Sequence, residues 1–445
     1  MTSASFDFAP LLPAGLPQPA ARWTGLAKYS FVGGNNDPEQ VPLDGLIDAV
    51  NTVLKREGRM LATYGLASGP QGYRPLREFL TAKLKRDAGI ACTADDILIV
   101  SGSLQALDLV NQTLLARGDT VIVEQETYQG SLNRLTRLGV NAIGIPLDQD
   151  GMRMDALAAT LADLKARGIL PKYIYTIPTV QNPTGTIMPQ ARRTELLRLS
   201  REYGVPIFED DCYADLIWDG KRPPAIHAMA GNGGVIHIGS FSKSIAPALR
   251  VGFIVAPWEM LSRMLALKTD AGSGALEQMV LAEYCAPHFS SHVPALTKAL
   301  RRKLDVLMES LDEHFGTSAE FEDNKGGIFL WVKLPDNVDT LKLYQAALAA
   351  GVSSLDHKEE RRPARWELPF AVPREAFSRP VWDRLLGPMP ASRYWRCAAA
   401  RRIPGGRLPP AQPRLRGSAR PRGLRSRAAG GSSNTPCRST IPARD

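Results

Sequence analysis

The sequence predicts an α/β fold: a mostly parallel central sheet with helices on both faces, followed by a smaller α+β unit. Three observations carry this expectation. Short apolar runs at residues 97–100, 121–123, 173–178, 205–208, 235–238 and 252–256 have the length and composition of buried strands. Stretches with helical spacing separate many of them, which is the alternation that builds parallel sheets. Nearly every run also ends in a small, polar or aromatic residue, where an open α/β sheet gathers its ligands.

At 445 residues, the chain is long enough for two or three domains. Its hydrophobic and charged fractions, 44% and 22%, are those of a globular protein rather than a disordered one. The formal charge of +9 suggests a nucleic-acid partner until it is located. Residues 391–445 hold thirteen arginines, no lysine and a single acid, Asp445, so the rest of the chain is mildly acidic. Five scattered cysteines without a C-x-x-C pair offer neither a disulfide framework nor a metal site. No apolar run reaches the ~18 residues of a membrane span, and the N-terminus lacks a signal-peptide pattern. A cytoplasmic protein without a membrane partner is expected.

In chain order, residues 1–30 are rich in proline and alanine and read as an extended arm, too short for an N-terminal DNA-binding domain. Gly33 and Gly34 then supply a turn where backbone can approach a ligand. Helical spacing follows at Leu46, Ile47, Val50 and Leu54. A glycine-rich loop from Tyr64 to Tyr73 leads into a helix from Arg74. After the strand at 97–100, Ser101-Gly-Ser-Leu-Gln105 opens a helix. Strand, small-residue turn and helix is a recipe for an anion site, because unpaired N–H groups and the helix dipole meet there, although a plain cap by Ser103 is the simpler reading.

Tyr128 lies at the exit of the strand at 121–123. Asn182-Pro-Thr-Gly185 is a turn that fixes the asparagine side chain. The strand at 205–208 runs into Glu209-Asp210-Asp211, a trio of acids that needs counter-charges, with Tyr213 just beyond. The strand at 235–238 delivers Gly239-Ser-Phe-Ser-Lys243, with Arg250 seven residues on. By itself Lys243 is an ordinary turn residue. Ser103, Tyr128, Asn182, Asp210 and Lys243 all fall at strand ends, however, and that coincidence points to one shared site. The second unit begins in a helix at about 277–313 and continues with a strand at 325–333 and a helix at 341–350.

This order of motifs resembles the class I/II aminotransferases of pyridoxal-phosphate fold type I over about residues 28–351. It is most similar to the branch that holds 2-aminoadipate and aromatic aminotransferases and the aminotransferase domains fused to winged-helix regulators. The resemblance implies a cofactor, pyridoxal 5'-phosphate, held as a Schiff base on Lys243. It implies that Asp210 pairs with the pyridine nitrogen, that Asn182 and Tyr213 hydrogen-bond the phenolic oxygen, and that Tyr128 stacks on the ring. Ser103, Leu104, Gln105, Ser240 and Arg250 would hold the phosphate, with Tyr64 reaching it from the neighbour in a homodimer. Gly34 and Asn182 would meet the substrate. The implied reaction moves an amino group from an L-amino acid to a 2-oxo acid; another fold type I activity such as a β-lyase, or an impaired cofactor-binding regulator, is the alternative.

The resemblance divides the chain into the arm (1–30), a large cofactor domain (31–290, with 31–60 expected to pack in part on the small domain), a small domain (291–387) and the tail (388–445). After about residue 352 the chain departs from the family. The usual loop and arginine-bearing strand are missing, and Trp366-Glu367-Leu368 sets Glu367 where the substrate-carboxylate arginine is expected. Lysine also disappears after Lys358. The expectation is an altered reading frame between Gly351 and about Arg396, with a basic arm binding RNA or an acidic surface as the competing reading.

Overall fold

The chain alternates between strands and helices for most of its length. Strand β1 (Tyr29–Phe31) is followed by α1 (Leu43–Glu57) and α2 (Arg74–Ala88). Next come β2 (Ile97–Val100), α3 (Ser103–Leu114), β3 (Thr120–Glu124), α4 (Gln129–Leu138) and β4 (Asn141–Ile145). A hairpin, β5 (Leu147–Asp148) with β6 (Gly151–Met152), leads to α5 (Met154–Ala166), β7 (Ile174–Thr176), α6 (Gln190–Tyr203) and β8 (Ile207–Asp210). Then follow α7 (Ile226–Ala230), β9 (Val235–Ser240), β10 (Gly252–Val255) and α8 (Trp258–Leu267). The long helix α9 (Ala275–Phe315) leads to β11 (Glu320–Phe321), β12 (Phe329–Lys333), α10 (Thr340–Ala349), β13 (Val352–Ser354) and β14 (Arg365–Pro369).

This computed structural model describes residues 6–369, apart from residues 18, 21, 24, 26–28, 32, 219–220, 232, 316–319, 336–337, 350 and 355–364. The expectations for the arginine-rich tail and for the end of the small domain lie outside the described residues.

Seven strands form the central sheet in the order β2-β10-β9-β8-β7-β3-β4. From β9 through β4 all pairs are parallel, and β10 runs antiparallel to both β2 and β9. Side chains alternate across the sheet. Tyr175, Phe208 and Ile238 join Leu107 and Val110 of α3 and Met264 of α8 in one core. Ile174, Ile207 and Val235 pack with Leu161 of α5 and Leu196 of α6 in another. With both faces covered, the strands need the uninterrupted apolar runs seen in the sequence.

A further core forms where Leu300, Leu304, Leu307 and Leu311 of α9, spaced at helical intervals, meet Leu330 and Val332 of β12 and Leu343 of α10. Phe31 and Tyr213 also enter this core, which brings the strand-end chemistry against the second unit. The strand read at Val205–Phe208 begins and ends two residues later than expected. Glu209 and Asp210 continue the ladder opposite His237 and Ile238, because each carboxyl finds donors at that depth. Glu209 accepts from the N–H groups of Ile226 at 2.7 Å and His227 at 3.0 Å and lies 3.0 Å from Nδ1 of His237. Asp211, one residue on, pairs with Arg222.

Among the described residues, no helix is long and apolar enough to cross a membrane.

Candidate active site

Lys243 sits in the turn after β9, and its Nζ donates to the carbonyl oxygen of Gly34 at 2.6 Å. The same nitrogen lies 5.7 Å from the centroid of the Tyr213 ring. Gly34 has φ +59°, and a Cβ there would come within 2.9 Å of Phe329 Cζ and 3.0 Å of Lys243 Nζ. Only glycine suits that position. Its loop is tied down on both sides: Asn36 donates to the carbonyl of Ile245 at 3.2 Å, and Asp37 pairs with Lys303 of α9 at 2.6 Å.

Asp210 ends β8 and is 5% exposed. Its Oδ2 accepts from the Tyr175 hydroxyl at 2.8 Å and its Oδ1 from the Cys212 N–H at 3.3 Å. These donors are neutral, and among the described residues no ion pair reaches this carboxyl. Burial pushes its pKa up, against the Cys212 and Tyr175 hydrogen bonds that pull it down. A carboxylate held this way is stabilised by a cationic partner of its own. Of the other two acids of the trio, Asp211 pairs with Arg222, and Glu209 is met by two backbone N–H groups and His237.

Asn182 and Tyr213 are both nearly buried, and Asn182 Nδ2 donates to the Tyr213 hydroxyl at 3.1 Å. The Tyr213 ring packs edge-on to Phe329, with centroids 5.8 Å apart, so the second core fixes its orientation. Tyr128 caps the start of α4 and is folded over Gly130, whose Cβ, if present, would lie 2.6 Å from its hydroxyl. Burial first, and then the nearby Asp210, raise the Tyr128 pKa.

The anion end of the site is built on α3. Its N-cap is Gly102, which has no side chain to satisfy the first N–H groups of the helix. Arg250 lies across that turn: a Cβ on Gly102 would stand 2.2 Å from Arg250 Nη2. The guanidinium is steered by the carbonyls of Ser101 at 3.2 Å and Pro247 at 3.0 Å. Ser240 Oγ accepts from the Ser242 N–H at 3.1 Å. Gln105 uses its side chain locally, accepting from the Ser101 N–H at 2.8 Å and donating to Asp270 at 2.6 Å. Leu104 packs against the sheet core, which leaves its main chain as the polar group at the helix start.

One expected residue stays outside this constellation. Tyr64 is 88% exposed, well clear of the chain's own core. Two residues that sequence reading passed over take part. Tyr175 holds Asp210, and Gln181 organises the loop that bears Asn182 through Thr184, whose N–H and hydroxyl it accepts at 2.8 and 2.7 Å. The available signal was position: Tyr175 alternates with the core residues of its strand, and Gln181 directly precedes Asn182. Together the cradle suits a flat, cationic aromatic ring that carries a phosphate. Asp210 would meet the ring's charge, Arg250 and the α3 N-terminus its phosphate, and Lys243 an electrophilic carbon.

The family model for aminotransferase class I and II matches residues 34–359. The chain is 38% identical over 286 residues to the uncharacterized HTH-type transcriptional regulator YdfD of Bacillus subtilis (strain 168). That match covers 64% of this chain and 58% of the regulator, so the chain spans little more than half of that relative's length. It is 32% identical over 327 residues to aromatic-amino-acid aminotransferase 1 of Thermococcus litoralis, covering 73% of this chain and 78% of that one. Among solved structures, LysN, the α-aminoadipate aminotransferase of Thermus thermophilus complexed with N-(5'-phosphopyridoxyl)-L-leucine, superposes with a TM-score of 0.74. It is 30% identical, and the match covers 80% of this chain and 92% of that one.

Proposed function

The chain belongs to the class I and II aminotransferase family, and from that premise we propose that it transfers an amino group from an L-amino acid to a 2-oxo acid with pyridoxal 5'-phosphate as cofactor. The observation that supports this reading is that Lys243, Asp210 and Arg250 share neighbours: Tyr128 lies in the field of both Asp210 and Arg250, and Cys212 in that of both Asp210 and Lys243.

Bound pyridoxal phosphate supplies an electron-withdrawing ring that takes up the electron pair left when the amino acid loses its Cα proton. The protein's own part is to bind, orient and move protons. Asp210 Oδ would keep the proton on the ring nitrogen, and the Tyr175 hydroxyl keeps that carboxyl in place. Asn182 and Tyr213 would bind the ring's phenolic oxygen. Lys243 Nζ would hold the cofactor's aldehyde carbon, then carry the Cα proton once the substrate amine has displaced it. Arg250, Ser240 and the Ser103–Gln105 turn would hold the phosphate.

A homodimer is part of the same proposal. The exposed Tyr64 is accompanied by exposed Leu43, Ile47 and Leu54 on α1 and by Leu61, a run of apolar side chains that a second copy would cover. A cofactor-binding protein with weak or no turnover is the second reading. It is favoured by β14, which pairs with β12 and sets Glu367 opposite Trp331 in the strand where an arginine for the substrate carboxylate is expected.

The test is spectroscopic. Amino acids of acidic, aromatic and branched type are added singly to the cofactor-loaded protein, and the bound cofactor is followed from its aldehyde to its amine form. Conversion with one class supports transamination, whereas cofactor binding without conversion by any of them supports the second reading.

A further inference from the structure

Glu124 is a buried carboxyl at the end of β3 to which the proposed reaction gives no task. It is 1% exposed, and among the described residues no ion pair reaches it. Its Oε1 accepts from the Thr176 hydroxyl at 2.6 Å, and its Oε2 accepts from the Ile177 N–H at 3.2 Å and Gln181 Nε2 at 3.0 Å. All three are donors, which suits a carboxylate. Burial and the nearby Asp210 oppose that form and raise the group to about 7 in spite of those bonds.

An unpaired buried carboxylate is a poor way to gain stability, because an apolar side chain of the same size would avoid the desolvation. What Glu124 does accomplish is geometric. The amide nitrogen it holds also donates to the Glu126 carbonyl at 2.6 Å, which fixes the Gln181 side chain across the strand ends. The amide oxygen of Gln181 is thereby turned toward Thr184, accepting from its N–H and its hydroxyl. Gln181 and Thr184 bracket Asn182, and the loop they brace delivers Asn182 Nδ2 to the Tyr213 hydroxyl.

We infer that Glu124 is a positioning residue which, acting through Gln181, holds the 181–184 loop so that Asn182 is aimed at the cofactor ring. The inference rests on the function proposed above, since it takes Asn182 as a ring contact.

The experiment uses the full-length apoprotein and pyridoxal 5'-phosphate, with two readouts that do not need turnover: equilibrium affinity from fluorescence quenching, and the pH midpoint of the bound cofactor's visible absorbance. Glu124→Leu and Gln181→Leu should each weaken affinity on the order of tenfold, the loss of about one charge-assisted hydrogen bond. Both should also move the midpoint in the direction that Asn182→Ala moves it. In an Asn182→Ala background neither should have a further effect on the midpoint. Glu124→Gln should recover most of the affinity, since its carbonyl can still accept from Gln181 while its amide turns to the Thr176 hydroxyl.

Wild-type affinity and midpoint in both leucine variants would overturn the inference, as would midpoint shifts that add in full to that of Asn182→Ala. Should Glu124→Leu not fold, Gln181→Leu decides alone. A wild-type protein that fails to bind pyridoxal phosphate would instead bring down the proposed function, an outcome read independently of the variants.

Discussion

Lys243 Nζ and the carbonyl oxygen of Gly34 stand 2.6 Å apart although 209 residues separate them in the chain. The contact ties the lysine side chain to the loop that Asn36 and Asp37 anchor. A Gly34→Ala change sets a Cβ against Phe329 and Lys243 on a left-handed backbone, and should cost about 1–3 kcal/mol in stability. It should also displace the lysine. Chemical denaturation, together with the rate of cofactor capture by the variant, checks both effects.

Tyr175 is fully buried and gives Asp210 a hydrogen bond at 2.8 Å. Tyr175→Phe keeps the ring's packing on Phe208, whose centroid is 5.4 Å away, and removes only the donor. Affinity for pyridoxal phosphate should fall on the order of tenfold at neutral pH, because the buried carboxylate then has one donor fewer. Unchanged binding would show that the hydroxyl does not support the carboxylate.

Arg250 lies across the uncapped start of α3. Arg250→Ala should lower affinity for pyridoxal phosphate by roughly 10–100-fold and leave the affinity for pyridoxal, which lacks the phosphate, nearly unchanged. Arg250→Lys should restore only part of the difference, since an ammonium cannot present the same paired donors. Equal losses for the two ligands would remove Arg250 from the phosphate site.

Acid sensitivity follows from half-buried His227 and from buried Glu209, which precedes Asp210 in β8. Burial, with the neighbouring His237, lowers His227 from the usual 6.5 to about 4. The unfolded chain therefore takes up that proton first, and stability falls as pH drops from about 6.5 through about 4. Burial alone would raise Glu209, but His237, Arg193 and the His227 N–H outweigh it and hold Glu209 below its usual 4.5. Its contribution is complete above about 4.5 and is lost as pH falls below that. Denaturant melts across this range should show both losses. His227→Asn should flatten the upper one, and Glu209→Gln should cost about 1–3 kcal/mol near neutrality by turning an amide N–H toward the donors that the carboxylate accepts from.

The sheet was legible in the sequence because each of its central strands is buried on both faces, and an apolar run is then required. The antiparallel course of β10 was not, since Gly252-Phe-Ile-Val255 reads the same in either direction and only its pairing with β2 and β9 decides. Strand β4 escaped for the opposite reason: it is an edge strand, and Asn141, Ala142 and Gly144 are exposed. At the site, residues that end strands or mark turns could be found from position alone. Glu124 also ends a strand, and Tyr175 and Gln181 lie close to site residues in the chain, but position does not reveal their part, which lies in the side chain each one touches across 35 to 57 residues of sequence.

The proposed reaction depends on Lys243 capturing the cofactor. Borohydride reduction of the protein with pyridoxal phosphate, followed by peptide mass spectrometry, locates the residue that does so. A pyridoxyl group is expected on Lys243, and is expected to be lost in Lys243→Ala; a pyridoxyl group fixed on a different lysine, or on none, would rule Lys243 out.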